Sequence, residues 1–159
     1  MLKLSTKGQY GVRAMFEIAR SYSEGPLTIK VISEKQDVSV AYLEQILNQL
    51  RKSGLITSVK GPGGGYMLSR PPDKVSIGEI LGELEGPVAI TSCLDPKEGC
   101  IRVEGCVTHR LWKALGENIE AFLNKMTLKD LLQDNEFIKM KVIGRERHKG
   151  ERSGSRCAS

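Results

Sequence analysis

The sequence predicts a mainly α-helical fold with one small β-hairpin and a long helix in its C-terminal half. Three observations predict it. Apolar residues recur at helical spacing in six segments. A glycine run, Gly61-Pro62-Gly63-Gly64-Gly65, separates two short β-prone stretches. The positions Trp112, Leu115, Ile119, Phe122 and Met126 alternate spacings of three and four, the pattern of a seam between two helices.

From Lys7 to Ser23, Met15, Ile18, Ala19 and Tyr22 mark one face of a first helix, which Gly25-Pro26 ends. A second helix starts near Thr28 and buries Ile29 and Ile32. Asp37-Val38-Ser39 reads as a turn with Ser39 as N-cap. The third helix, 40–52, carries Leu43, Ile46, Leu47 and Leu50 as a core stripe, and Gly54 ends it. Residues 55–60 and 66–69 read as paired strands about the glycine tip. Ser76 with Glu79 forms a capping box for a helix burying Ile77, Ile80, Leu81 and Leu84, which Gly86-Pro87 stops. Residues 88–107 look irregular. Thr108 is the expected cap of the long helix, and Thr127 with Asp130 starts a last short one.

Three short helices followed by a hairpin is the order of a winged helix-turn-helix, in which the third helix enters the DNA major groove. Its expected outer face holds Ala41, Glu44, Gln45, Asn48 and Lys52, small or hydrogen-bonding side chains suited to base edges. Gln45 and Asn48 can address adenine. Glu44 only accepts, so it suits cytosine N4 and repels phosphates. Arg51, Lys52 and Lys60 are phosphate-contact candidates. At the hairpin tip, Gly63 and Gly64 let the backbone approach the sugar-phosphate chain, and Tyr42 completes the expected contact set. The tip is no P-loop: it lacks a following Lys-Ser/Thr and joins strands instead of opening a helix.

The charge distribution agrees with this. Residues 1–72 hold 10 Lys/Arg and 5 Asp/Glu; residues 73–138 hold 7 and 12; residues 139–159 hold 7 and 2. A basic first part suits DNA, and the acidic middle faces away from it. The expected organisation is a DNA-binding domain at 1–72, a cysteine-bearing loop and dimerisation helices at 73–135, and a basic, disordered tail at 136–159. Apolar residues make up 40% of the chain, enough for a packed core. Neither a signal peptide nor a bilayer-spanning run is visible, so the expected location is the cytoplasm, with no membrane partner. His109 and His148 are the only histidines and neither has a nucleophile partner in sequence, so no enzyme activity is expected.

Cys93, Cys100, Cys106 and His109 have the spacing C-x6-C-x5-C-x2-H. Three thiolates and an imidazole in one loop can close around a metal centre. Structural zinc accepts the same donor set, although its short C-x2–4-C pairs are absent. A disulfide would leave one thiol over. Spacing alone does not separate iron–sulfur from zinc. Cys157 is isolated in the tail.

The stretches LSTKGQYGVRAM, SVAYLEQILNQLRKSGLI, SVKGPGGGYML and THRLWKAL, with the cysteine loop, resemble the Rrf-two family of bacterial transcription regulators in its IscR-type, iron–sulfur branch. The resemblance runs from Met1 to about Asn135 and leaves out the basic tail. It implies a homodimer with crossed long helices on an imperfectly palindromic promoter operator, acting as a repressor. It also implies a 2Fe–2S cluster on Cys93, Cys100, Cys106 and His109, supplied by the iron–sulfur assembly machinery, with base reading at Ala41, Glu44 and Gln45 and Lys60 at the wing. This chain has six residues between its first two cysteines where such members usually have five. A 4Fe–4S nitric-oxide sensor of the family has a similar trio without the histidine. That reading, and a winged helix with structural zinc, are the alternatives.

Overall fold

The computed structural model describes residues 4–94 and 105–133. Its order is α1 (Thr6–Arg20), α2 (Ile29–Gln36), α3 (Val40–Lys52), β1 (Ile56–Val59), β2 (Gly65–Leu68), α4 (Ile77–Glu85), α5 (Val107–Lys125) and α6 (Leu128–Leu132), with 3-10 turns at Pro72–Lys74 and Ser92–Leu94. It is the expected mainly helical fold with a hairpin wing.

Local chemistry explains the boundaries. Ser5, Thr28 and Ser39 accept from the backbone N–H three residues on, at Gly8, Val31 and Tyr42, and so cap α1, α2 and α3. Asp37 ends α2 at φ 51°, a left-handed conformation that short polar side chains tolerate. β1 and β2 pair antiparallel with Ile56 opposite Leu68 and Val59 opposite Gly65. Leu27 adds a bridge to Tyr66 with reciprocal bonds of 2.9 and 2.8 Å, tying the α1–α2 connection to the wing.

One core joins these parts. Met15, Ile18, Ile32, Leu43, Ile46, Leu47 and Leu50 are buried together with Val75, Ile80, Leu84, Met126 and Leu128. Both the α3 stripe and the α4 stripe are buried as expected. The Glu17 carboxylate is buried too, and it accepts from Lys35 at 3.0 Å and Gln36 at 3.1 Å, fixing α2 on α1. A lone buried carboxylate would be costly; this one is paired.

Three expectations need correction. Tyr22 lies beyond the end of α1 and is exposed, because the helix stops at Arg20. Thr108 sits inside α5 and does not cap it; Cys106 occupies the cap position without a side-chain cap bond. Met126 ends α5 but is only 5% exposed, so it belongs to the core and not to the helix seam. The remaining seam differs from it in kind. Leu115 and Phe122 are exposed, as are Val107 and Leu111 on the same helix. Among the described residues, no helix is long and apolar enough to cross a membrane.

Candidate nucleic-acid interface and metal centre

The two faces of α3 separate cleanly. Leu43, Ile46, Leu47 and Leu50 have no accessible surface, whereas Ala41, Glu44, Gln45, Asn48 and Lys52 are all exposed. The helix therefore projects a row of small and amide side chains away from the core. Asn48 Oδ1 lies 3.4 Å from Arg51 Nη2, a contact within that face. Tyr42 differs from its neighbours: it is half-buried and packs edge-on against Tyr10 of α1, ring centroids 6.2 Å apart at 90°. The Arg13 guanidinium lies over the Tyr10 ring, 5.5 Å from its centroid. Tyr42 thus orients the first turn of α3 on α1, a role the sequence pattern did not signal.

Beside this helix, Lys60 is exposed at the end of β1. The tip closes by a bond from Gly64 N–H to the Gly61 carbonyl at 2.9 Å. A Cβ at Gly64 would come within 2.3 Å of the Val59 carbonyl oxygen, so only glycine fits this turn. Gly63, at φ 73°, has open space around it and faces outward.

The cysteine segment is anchored at both ends. Cys93 lies in the Ser92–Leu94 turn, which packs on α5, and its Sγ is 3.0 Å from Thr91 Oγ1. Cys106 lies at the start of α5 with Sγ 3.2 Å from Thr108 Oγ1. The Thr108 hydroxyl, and after it the His109 backbone N–H, hold the Cys106 thiol below the usual thiol range. His109, in the first turn of α5, has a buried Nδ1 with no hydrogen-bond partner among the described residues. Cys93 and Cys106 are free thiols. Cys100, Cys157 and the tail at 136–159 lie outside the described residues. Among the described residues, no three His, Cys, Asp or Glu side chains gather closely enough to hold a metal ion. The donor chemistry nonetheless fits a soft metal centre: free thiols, one of them held below its ordinary range, and, in the first turn of α5, a buried imidazole nitrogen left without a partner.

Residues 4–134 match the Rrf2 family, described as an iron-dependent transcriptional regulator. The chain belongs to the Rrf2 family. The HTH-type transcriptional regulator IscR of Erwinia tasmaniensis is 43% identical to this Rrf2 chain, covering 86% of it and 82% of the relative. The T. potens IscR structure superimposes at TM-score 0.72 with 41% identity, covering 87% of this chain and 92% of the other. The structure of CymR, the global cysteine regulator of B. subtilis, also gives 0.72 at 37% identity, covering 82% and 96%. This Rrf2 chain is accordingly a DNA-binding transcription regulator and not an enzyme.

Proposed function

We propose that this regulator reads promoter operators through α3 and the wing, under control of a 2Fe–2S cluster held by Cys93, Cys100, Cys106 and His109. The observation that carries the cluster reading is the orphaned, buried Nδ1 of His109 next to the acidified Cys106 thiol. A buried imidazole nitrogen without a partner costs free energy on the order of 1–3 kcal/mol, which ligation would recover. When bound, the cluster supplies redox-sensitive and supply-sensitive ligation. His109 adds a neutral nitrogen donor to the three thiolates, so the mixed shell is more labile than four thiolates.

Ala41, Glu44, Gln45 and Asn48 read base edges, Lys52 and Lys60 hold phosphates, and Gly63 and Gly64 admit the backbone at the wing. Tyr42 supports this set from the side. The exposed Leu111, Leu115 and Phe122 of α5 pair with the same helix of a second copy, giving a homodimer that matches a palindromic operator. Residues 1–72 form the DNA-binding part and 73–135 the cluster and dimerisation part. Since Val75, Ile80 and Leu128 complete the core of α1–α3, that division is one of role. In the cytoplasm, with clusters delivered by the assembly machinery, the loaded protein represses its targets.

The test is an ultraviolet–visible spectrum of anaerobically purified protein with iron and sulfide assays. Wild type shows a cluster chromophore with two irons and two sulfides per chain. Cys100→Ala loses it and stays a folded dimer. A colourless protein containing zinc and no sulfide contradicts the reading, as does a Cys100→Ala variant that keeps the chromophore.

A further inference from the structure

The last turn of α4 is held by donors from both helices that frame the reading face. Lys7 Nζ of α1 donates to the Leu84 carbonyl at 3.0 Å, and the Gln49 side-chain amide of α3 donates to the Glu83 carbonyl. The Glu85 carboxylate accepts from the Ser5 hydroxyl and, at 3.0 Å, from the Gly8 backbone N–H. Carbonyls in a helix's final turn have no partner inside the helix, so Lys7 and Gln49 satisfy groups that would otherwise need water. Glu85 in turn places negative charge at the N-terminus of α1, where the helix dipole favours it.

Steric fit reinforces these bonds. A Cβ at Gly11 of α1 would come within 2.1 Å of Leu84 Cδ1 and 3.5 Å of Ile46 Cγ2, so α1, α3 and α4 meet at that point. A Cβ at Gly8 would come within 2.3 Å of Glu85 Oε1. Both small residues let the end of α4 lie directly on α1. Immediately after Glu85 the chain turns at Gly86, φ 88°, and runs to Cys93. One residue before Gly11, Tyr10 of α1 meets Tyr42 in the first turn of α3. The chain that runs on to Cys93 therefore leaves from the one turn that packed side chains and satisfied polar groups hold against both α1 and α3.

Building on the cluster-controlled reading above, we propose that residues 83–85 form the joint through which the cysteine segment sets the position of α3, with Glu85 as its positioning residue. Coupling between distant sites needs a contiguous element that both sites bias. Here Glu85 fixes the N-terminus of α1, Gln49 ties α3 to the same turn, and a displaced residue 86 moves both. Glu85 lies outside the proposed reading face and ligand set; it acts through Ser5 and Gly8.

The experiment compares wild type, Glu85→Ala and Glu85→Gln as full-length protein, each cluster-loaded and cluster-free. Anisotropy titrations use an operator duplex and a scrambled duplex, alongside the cluster absorption spectrum. Glu85→Ala is expected to shrink the loaded-to-free ratio of operator affinity at least about fivefold, the lower end of ordinary coupling. Its absorption spectrum and scrambled-duplex affinity stay unchanged. Glu85→Gln, which keeps an acceptor for Gly8 N–H, restores most of the ratio. Equal weakening of both forms with the ratio kept overturns the proposal, since a merely structural residue would do that. If the wild-type ratio is already one, cluster control fails instead. The joint is then decided by hydrogen exchange of the cluster-free proteins. Faster exchange in the first turn of α3 as well as α1 in Glu85→Ala supports it, and change confined to α1 overturns it.

Discussion

Ser76 and Thr127 face each other across an antiparallel bridge, and each also caps its own helix with a box closed by an acidic residue three positions on. Ile77 N–H donates to the Met126 carbonyl at 2.7 Å and Leu128 N–H to the Val75 carbonyl at 3.0 Å, so the starts of α4 and α6 are stitched side by side. Replacing either hydroxyl residue by Ala is expected to cost about 1 kcal/mol. Urea denaturation checks this: the midpoint falls with an unchanged slope. Because the two caps share a bridge, the double variant should depart from additivity by a measurable amount.

Acid should loosen the same place. Burial pushes the Glu79 carboxyl up, but bonds from the Ser76 backbone and from Arg70, at 3.0 Å, outweigh it and leave the group below its ordinary value. A carboxyl depressed on folding contributes stability that is complete above its unfolded pKa, about 4.3. That contribution is lost as pH falls through the lower folded value. Thermal melts of Glu79→Gln should therefore show a shallower loss of stability below about pH 4.3 than wild type does. Parallel curves would exclude this role for Glu79.

Gly11→Ala tests the crowding between α1 and α4. Alanine favours a helix over glycine by roughly 0.5–1 kcal/mol. The clash with the buried Leu84 forces repacking that costs about 1–3 kcal/mol, so the clash wins. The melting temperature falls. A rise would mean Leu84 swings aside freely.

Thiol reactivity should distinguish the cysteines of cluster-free protein. Thr108 and the His109 N–H hold the Cys106 thiol below the usual range, so loss of the Thr108 hydroxyl should make it a slower nucleophile. Alkylation with iodoacetamide, followed by mass spectrometry, reads the rate at each described cysteine. Thr108→Val should slow Cys106 and leave Cys93 alone.

On the reading face, Glu44→Ala should relax discrimination at one base pair by about 1–3 kcal/mol. Lys60→Ala should instead weaken all duplexes alike and reduce the salt slope by about one. Competition binding over a library of operator variants, at two salt concentrations, separates the two. If both substitutions behave alike, Glu44 is no base reader.

Much of this architecture was legible because periodicity and caps act locally. The α3 stripe, the Ser76–Glu79 box and the Thr127–Asp130 box follow from residues within a few positions of one another, and all stand where the pattern places them. Misplaced features have local competitors or depend on long-range packing. Thr108 has good cap chemistry, yet the helix starts two residues earlier than that cap would set, with Cys106 at the cap position, and the hydroxyl turns to Cys106. Met126 keeps the seam's spacing but is drawn into the core beside Leu128. The proposed site residues stand out in the sequence as types and spacings. Their supports, Tyr10 under Tyr42 and Glu85 on Gly8, were not, because they connect residues far apart in the chain.

The most direct test of cluster control is operator titration of matched cluster-loaded and cluster-free wild-type preparations against a panel of duplexes at fixed salt. The two forms should differ in affinity or sequence preference by at least about fivefold on one or more operators. Superimposable curves on every duplex would contradict it.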